Sequence, residues 1–208
     1  TATLGQYAVA VAAAEGLLVV TQVGAIVTSP HVGAMAESDA AKMTATCVRA
    51  TLVMSVPICA LFFVLAPYIV HLLYGAAYAP LVPALRILLV AVLILSVASP
   101  ISNFFTLNRG KPEVALGSAL LAACACIAVS WLLVPRLGMI GAAVATAAAY
   151  LLGESFQMFF FIRASGTPLA AMLVPTSGDV QFYLSTAGTL TRDAVRAVSS
   201  IRSAARGL

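Results

Sequence analysis

Charge is scarce in this sequence. Asp, Glu, Lys and Arg make up 9% of its 208 residues, where a soluble domain carries about 25%. So few charges cannot clothe a water-facing surface, which excludes an ordinary soluble globule. Histidine is reduced to His31 and His71, and neither stands at metal-ligand spacing from Cys47, Cys59, Cys124 or Cys126. Those cysteines lie in or beside apolar helical stretches and read as small core hydrophobes. No Gly-rich phosphate loop, HExxH pair or nucleophile elbow occurs, so the residues point to no enzyme, cofactor or metal. Long runs of like charge are missing too. The 11 Lys and Arg mostly flank apolar runs, which argues for orientation in a bilayer and against nucleic acid as a partner. The chain opens on Thr1 with no basic n-region or small-residue cleavage site ahead of its first apolar run, and we read this N-terminus as a truncation.

What is present is apolar bulk. Hydrophobic residues are 62% of the chain, and its mean hydropathy is +1.06. A helix rising ~1.5 Å per residue needs roughly 20 apolar residues to cross a hydrocarbon core ~30 Å thick. Five runs qualify, at about residues 5–28, 50–73, 81–107, 114–134 and 139–162. The fold class expected is therefore all-α: a polytopic bundle of five transmembrane spans over residues 1–163, followed by a tail over 164–208. Tyr74-Gly75 closes the second run, Asn108-Arg109-Gly110-Lys111-Pro112 is a turn after the third, and Pro135 and Gly138 punctuate the join of the last two. Arg192, Arg196, Arg202 and Arg206, set among Ala, Val and Ile, give the tail either an amphipathic basic helix suited to an anionic membrane surface or a loosely ordered soluble end.

Basic residues orient the spans. Lys42 and Arg49 follow the first, Arg109 and Lys111 the third and five arginines the fifth, whereas the connection after the second has no charge before Arg86, near the start of the third span, and the connection after the fourth holds only Arg136. The first and third connections and the tail are thus expected on the cytoplasmic side. Five spans then leave the N-terminus outside, which again implies missing upstream spans.

Four segments, in order and one helix apart, resemble the polysaccharide (O-antigen type) branch of the multidrug, oligosaccharidyl-lipid and polysaccharide flippase superfamily. They are Leu4-Gly5-Gln6-Tyr7-Ala8-Val9-Ala10; Leu65-Ala66-Pro67 through Leu73-Tyr74-Gly75-Ala76-Ala77-Tyr78; Leu107-Asn108-Arg109-Gly110-Lys111-Pro112; and Leu133-Val134-Pro135-Arg136-Leu137-Gly138-Met139-Ile140-Gly141-Ala142-Ala143. The resemblance covers about residues 4–163. It implies a two-bundle, alternating-access transporter of the bacterial cytoplasmic (inner) membrane, of which this chain is most of the C-terminal half. Its partners would be the bilayer, a lipid-linked glycan and a missing N-terminal helix bundle. The function expected is flipping of a lipid-linked oligosaccharide or polysaccharide precursor. A cation-coupled multidrug antiporter of the same superfamily and a non-transporting membrane scaffold are the alternatives.

Polar groups inside the apolar runs are the candidate site. A charge at mid-bilayer costs ~2.5–3.5 kcal/mol even on the lenient insertion scale, so Glu15 and Glu154 are expected to face the bundle interior or a cavity. Glu15 shares a face with Gln22, and Tyr150, Glu154 and Gln157 share a side of the fifth span. Glu15 serves either as a proton-coupling or cavity-lining carboxylate or as the partner of a basic residue on the missing bundle. Glu154 lines the cavity or makes a helix-packing hydrogen bond. Arg86 offers a planar fork to phosphate or snorkels to the outer headgroups. Ser96, Ser99, Asn103 and Thr106 form a stripe fit for sugar hydroxyls or for helix packing. Gly138, Gly141, Ala142 and Ala145 give the fifth span a small-residue stripe for close packing. Pro67 and Pro100 are either hinges for the inward-to-outward transition or tolerated kinks.

Overall fold

The computed structural model describes residue 5, residues 7–18 and residues 32–174, without the side chains of residues 171 and 173. Among the described residues every element is helical. Gln22 and the tail arginines lie outside them. Three stretches are long and apolar enough to cross a membrane: Glu37–Tyr74, Ala76–Asn108 and Glu113–Ser165. A shorter apolar helix, α1 (Tyr7–Leu18), precedes them.

Helix α2 (Glu37–Tyr74) starts on Glu37 and Asp39, whose carboxylates suit the positive end of a helix dipole. It ends at Gly75, whose φ of 83° would strain any side chain. Its 38 residues run about 57 Å, well beyond the ~30 Å of hydrocarbon. The polar stretch with Asp39, Lys42 and Arg49 is therefore a helical extension of the second apolar run, where the sequence places a connection between spans. That extension is stable because one of its faces is apolar and covered. Ala40, Ala41, Ala45 and Val48 are buried with Ile101, Phe104, Phe105, Phe161 and Met172.

The next stretch is broken twice. A 3₁₀ turn (Ala76–Leu81) leads into α3 (Val82–Leu95), and the chain restarts as α4 (Ala98–Asn103). Pro100 accounts for the gap at Ser96–Val97: it has no N–H for the Ser96 carbonyl, and its ring crowds that oxygen. A π-helical turn (Phe104–Asn108) follows. Asn108 Nδ2 then donates to the Val32 and Met35 carbonyls, 2.9 Å each, and Arg109 pairs with Glu37. The Asn-Arg-Gly-Lys-Pro turn is thereby fastened to the start of α2.

Helix α5 (Glu113–Ser165) is folded on itself. Gly138, at φ 55° and ψ −126°, interrupts the helical backbone. A Cβ placed on Gly141 would stand 2.5 Å from the Leu133 carbonyl oxygen, whereas eight residues of straight helix span about 12 Å. The same pairing continues away from the bend. A Cβ on Gly153 would meet Ala122 Cβ at 3.1 Å, and the Phe156 ring stands 3.3 Å from one on Gly117. Residues 113–137 and 139–165 are thus antiparallel limbs. Short α6 (Leu169–Leu173) packs back on α2.

Two apolar clusters hold the bundle. One joins Ala10, Ala14 and Leu17 of α1 to Cys59, Ala66 and Val70 of α2, to Leu85, Leu88 and Leu89 of α3 and to Ala143 of α5. The other is the cluster around Phe104 and Phe161. The outside is equally apolar: Leu72 and Trp131 are 84% and 85% exposed, an outward face that water would not tolerate and lipid would. Cys124 belongs to that exposed face and Cys126 is half-buried, so only Cys47 and Cys59 are core residues. The two outer cysteines sit on the limb of α5 whose partner-free side faces outward, which the sequence pattern alone does not reveal.

Candidate functional site

Four polar side chains follow one another along the second limb of α5. Thr146, Tyr150, Glu154 and Gln157 are spaced by four, four and three residues, which on a helix puts them on one side. The row extends about 16 Å, half the thickness of the hydrocarbon core. Three of the four meet named polar neighbours. The Thr146 hydroxyl, bonded to the Ala142 carbonyl at 3.1 Å, lies 3.2 Å from the Tyr7 hydroxyl of α1. Tyr150 is within electrostatic range of Glu15, Tyr7 and Cys126. Gln157 is buried and used at both ends: Nε2 donates to Ser118 Oγ at 2.7 Å, and Oε1 accepts from Ser102 Oγ at 3.1 Å.

Glu154 differs from the others. Its side chain is half-buried, yet Oε2 is fully covered and has no hydrogen-bond partner among the described residues. Covered carboxylate oxygens without a donor are costly in an apolar medium. Glu154 therefore sits in the seam as an acceptor in want of a hydroxyl, an amide or a cation.

The structure brings part of the sequence's candidate set together. Glu15, exposed on α1, comes near Tyr150, one turn from Glu154, and Gln157 lies on the other side of that carboxylate. Asn103 is half-buried on α4, next to the Ser102 that bonds Gln157. Ser96 turns away into the α2 contact, 3.4 Å from Ser55 Oγ, and Thr106 is exposed. The gap at residues 96–97 and the π-helical turn shift the helical register between them, so the stripe read from sequence is not one face.

Arg86 lies apart from the seam. Its Nε donates to the Phe63 carbonyl at 3.1 Å, and its guanidinium stacks 5.0 Å from the Phe63 ring centroid. Phe63 is four residues before Pro67, which has no N–H to offer that carbonyl. Two candidates that sequence kept separate, Arg86 and Pro67, are thus the two sides of one repair. Sequence reasoning missed Tyr7, Thr146, Ser102 and Ser118. Thr146 is legible as one more turn of the Tyr150–Glu154 row; the other three depend on which helices become neighbours.

Comparisons with protein-family models, with curated proteins and with solved structures find no match to this chain.

Proposed function

We propose that this chain is part of a membrane transporter that moves a hydroxyl-rich headgroup, a lipid-linked oligosaccharide, across the cytoplasmic membrane of a bacterium by alternating access. Five crossings serve that purpose: the α1 region, α2, residues 76–108 and the two limbs of α5. The observation that carries the reading is Glu154 Oε2, a covered acceptor without a donor among the described residues, set in a polar row of a largely apolar bundle. Polar groups at membrane depth mark substrate and ion pathways. Sugar hydroxyls supply the donors that Glu154 lacks, and Tyr150, Thr146 and Glu15 extend the row toward α1. The interruption at residues 96–97 is the hinge best placed to alter the seam, because Ser102 and Asn103 lie just beyond it. This reading makes the protein a carrier and not an enzyme.

The test is translocation of a fluorescent polyprenyl-diphosphate oligosaccharide by the intact protein in proteoliposomes. Glu154→Gln should slow it at least about tenfold, the loss of one buried charged hydrogen bond to a sugar hydroxyl, with thermal stability unchanged. An unaltered rate sinks the proposal. The same carboxylate also suits a cation, so the second reading is a cation-coupled drug antiporter. Uptake of a fluorescent cationic drug driven by a proton gradient, abolished in Glu154→Gln, would decide for it.

A further inference from the structure

Away from the seam, three cations converge where no ion pair consumes them all. Arg109, Lys111 and Arg163 line a groove of about 400 Å³ with Phe105, Val114 and Phe160. Arg109 is held in place: both Nε and Nη2 reach Glu37 Oε1, and its guanidinium lies 5.9 Å from the Phe104 ring centroid. Lys111 and Arg163 are exposed, and neither has a carboxylate partner among the described residues. Arg163 comes from the last turn of α5, and Lys111 from a turn closed by a backbone hydrogen bond. Gly110 adopts a φ of 61°, and the Lys111 N–H bonds the Phe105 carbonyl at 2.8 Å. Among the described residues that line the groove, three cations stand against the one carboxylate paired with them, Glu37; Glu113 follows Lys111 at the exposed start of α5.

The groove opens onto the apolar outer face. Phe160, which lines it, is in ring contact with Phe156 and, edge to face, with Phe159, and Phe159 is 59% exposed. A soluble anion has no use for such a wall, whereas an amphiphile has: its anionic end meets the cations and its chains run down Phe160 and Phe159. All three cations belong to the basic end of the bundle, the side that faces the anionic leaflet.

We propose that this groove is a binding site for the phosphate of an anionic membrane lipid. The proposal rests on the membrane-spanning reading of the helices and not on transport, so a failed flipping assay leaves it standing. Arg109 orients, Lys111 and Arg163 bind the phosphate oxygens, and Phe105, Val114 and Phe160 carry the glycerol and upper acyl carbons.

The test is native mass spectrometry of the delipidated full-length protein titrated with phosphatidylglycerol or phosphatidylcholine. Wild type should prefer phosphatidylglycerol. Lys111→Gln and Arg163→Gln should each weaken that lipid about fivefold and leave phosphatidylcholine unaffected. Lys111→Arg, which keeps the charge, and Arg136→Gln, at the opposite end of the bundle, should change nothing. Equal affinity for the two lipids, or unchanged phosphatidylglycerol binding in both Gln variants, overturns the site. Displacement of the lipid by inorganic phosphate at equal concentration overturns its assignment to a lipid.

Discussion

Arg86 spends its side-chain donor on a backbone carbonyl that Pro67 leaves empty. A charged residue beside an apolar run invites a reading as phosphate ligand or headgroup anchor, because composition says nothing about which carbonyls lack donors. The geometry gives Nε the Phe63 oxygen and lays the guanidinium on the Phe63 ring. A hydrogen bond from a charged donor with a cation–π contact is worth about 1–2 kcal/mol at such a half-exposed position. Arg86→Gln should therefore destabilise the protein by about that amount. In a Pro67→Ala background residue 67 regains its N–H and bonds the Phe63 carbonyl itself, so the same substitution should cost less than half as much. Chemical denaturation of the four proteins in one detergent measures the cycle. Equal costs in both backgrounds would show that the proline and the arginine are independent. Gln157 illustrates the converse case, in which polarity in an apolar run is legible but its use is not. Its amide joins Ser102 of α4 to Ser118 of the first limb of α5, a three-element tie that no spacing in the sequence specifies.

Among the elements, α5 departs furthest from what local rules require. Residues 113–165 keep helical backbone almost throughout, and only Gly138 leaves it, by a positive φ that a residue without Cβ adopts at little cost. Pro135 and Gly138 mark the place in the sequence, and the two apolar runs around them read as separate spans. The antiparallel return is the structure's own statement, carried by Gly141 under Leu133 and by Gly153 against Ala122. Ala122→Cys with Gly153→Cys, in a background with Cys47, Cys59, Cys124 and Cys126 replaced by Ala, should oxidise to a disulfide within one chain. The Cβ separation of about 3.1 Å lies just under the range that disulfides favour. Moving one cysteine to Trp131, on the outward face, should abolish the bond. A gel-mobility shift after mild oxidation reads the result, and the absence of a shift for the first pair would mean that the limbs do not pack this way. The small-residue stripe of the second limb acquires its meaning here. Of its members, Gly138 leaves the helix at the bend and Gly141 lies under Leu133 of the first limb; outside the stripe, Gly153 also meets the first limb and Ala143 serves the cluster shared with α1, α2 and α3.

At the scale of the whole molecule, cations segregate. Lys42, Arg49, Arg109, Lys111 and Arg163 belong with the cluster around Phe104, whereas Arg86 and Arg136 belong with the opposite end. That asymmetry predicts one orientation in a bilayer. Lys111→Cys should be labelled by a membrane-impermeant maleimide only in inside-out vesicles, and Arg136→Cys only in intact cells. Labelling of both from the same side would refute the crossing pattern. Sequence by itself determined that the chain is all-helical in class and apolar enough for helices that can cross a membrane. With 62% hydrophobic residues and 9% charged, those helices are long and outwardly apolar, a surface compatible with lipid as the solvent. It also marked the helix breaks at Pro100 and Gly138, where one residue's stereochemistry suffices. Tertiary structure alone decided that the polar stretch before the second run continues α2, that Arg86 completes a carbonyl stripped by Pro67, and that Glu154, between Tyr150 and Gln157, has a covered oxygen without a donor among the described residues. Those outcomes depend on which helices meet and in what register, and distances between helices are not encoded in the periodicity of any one of them.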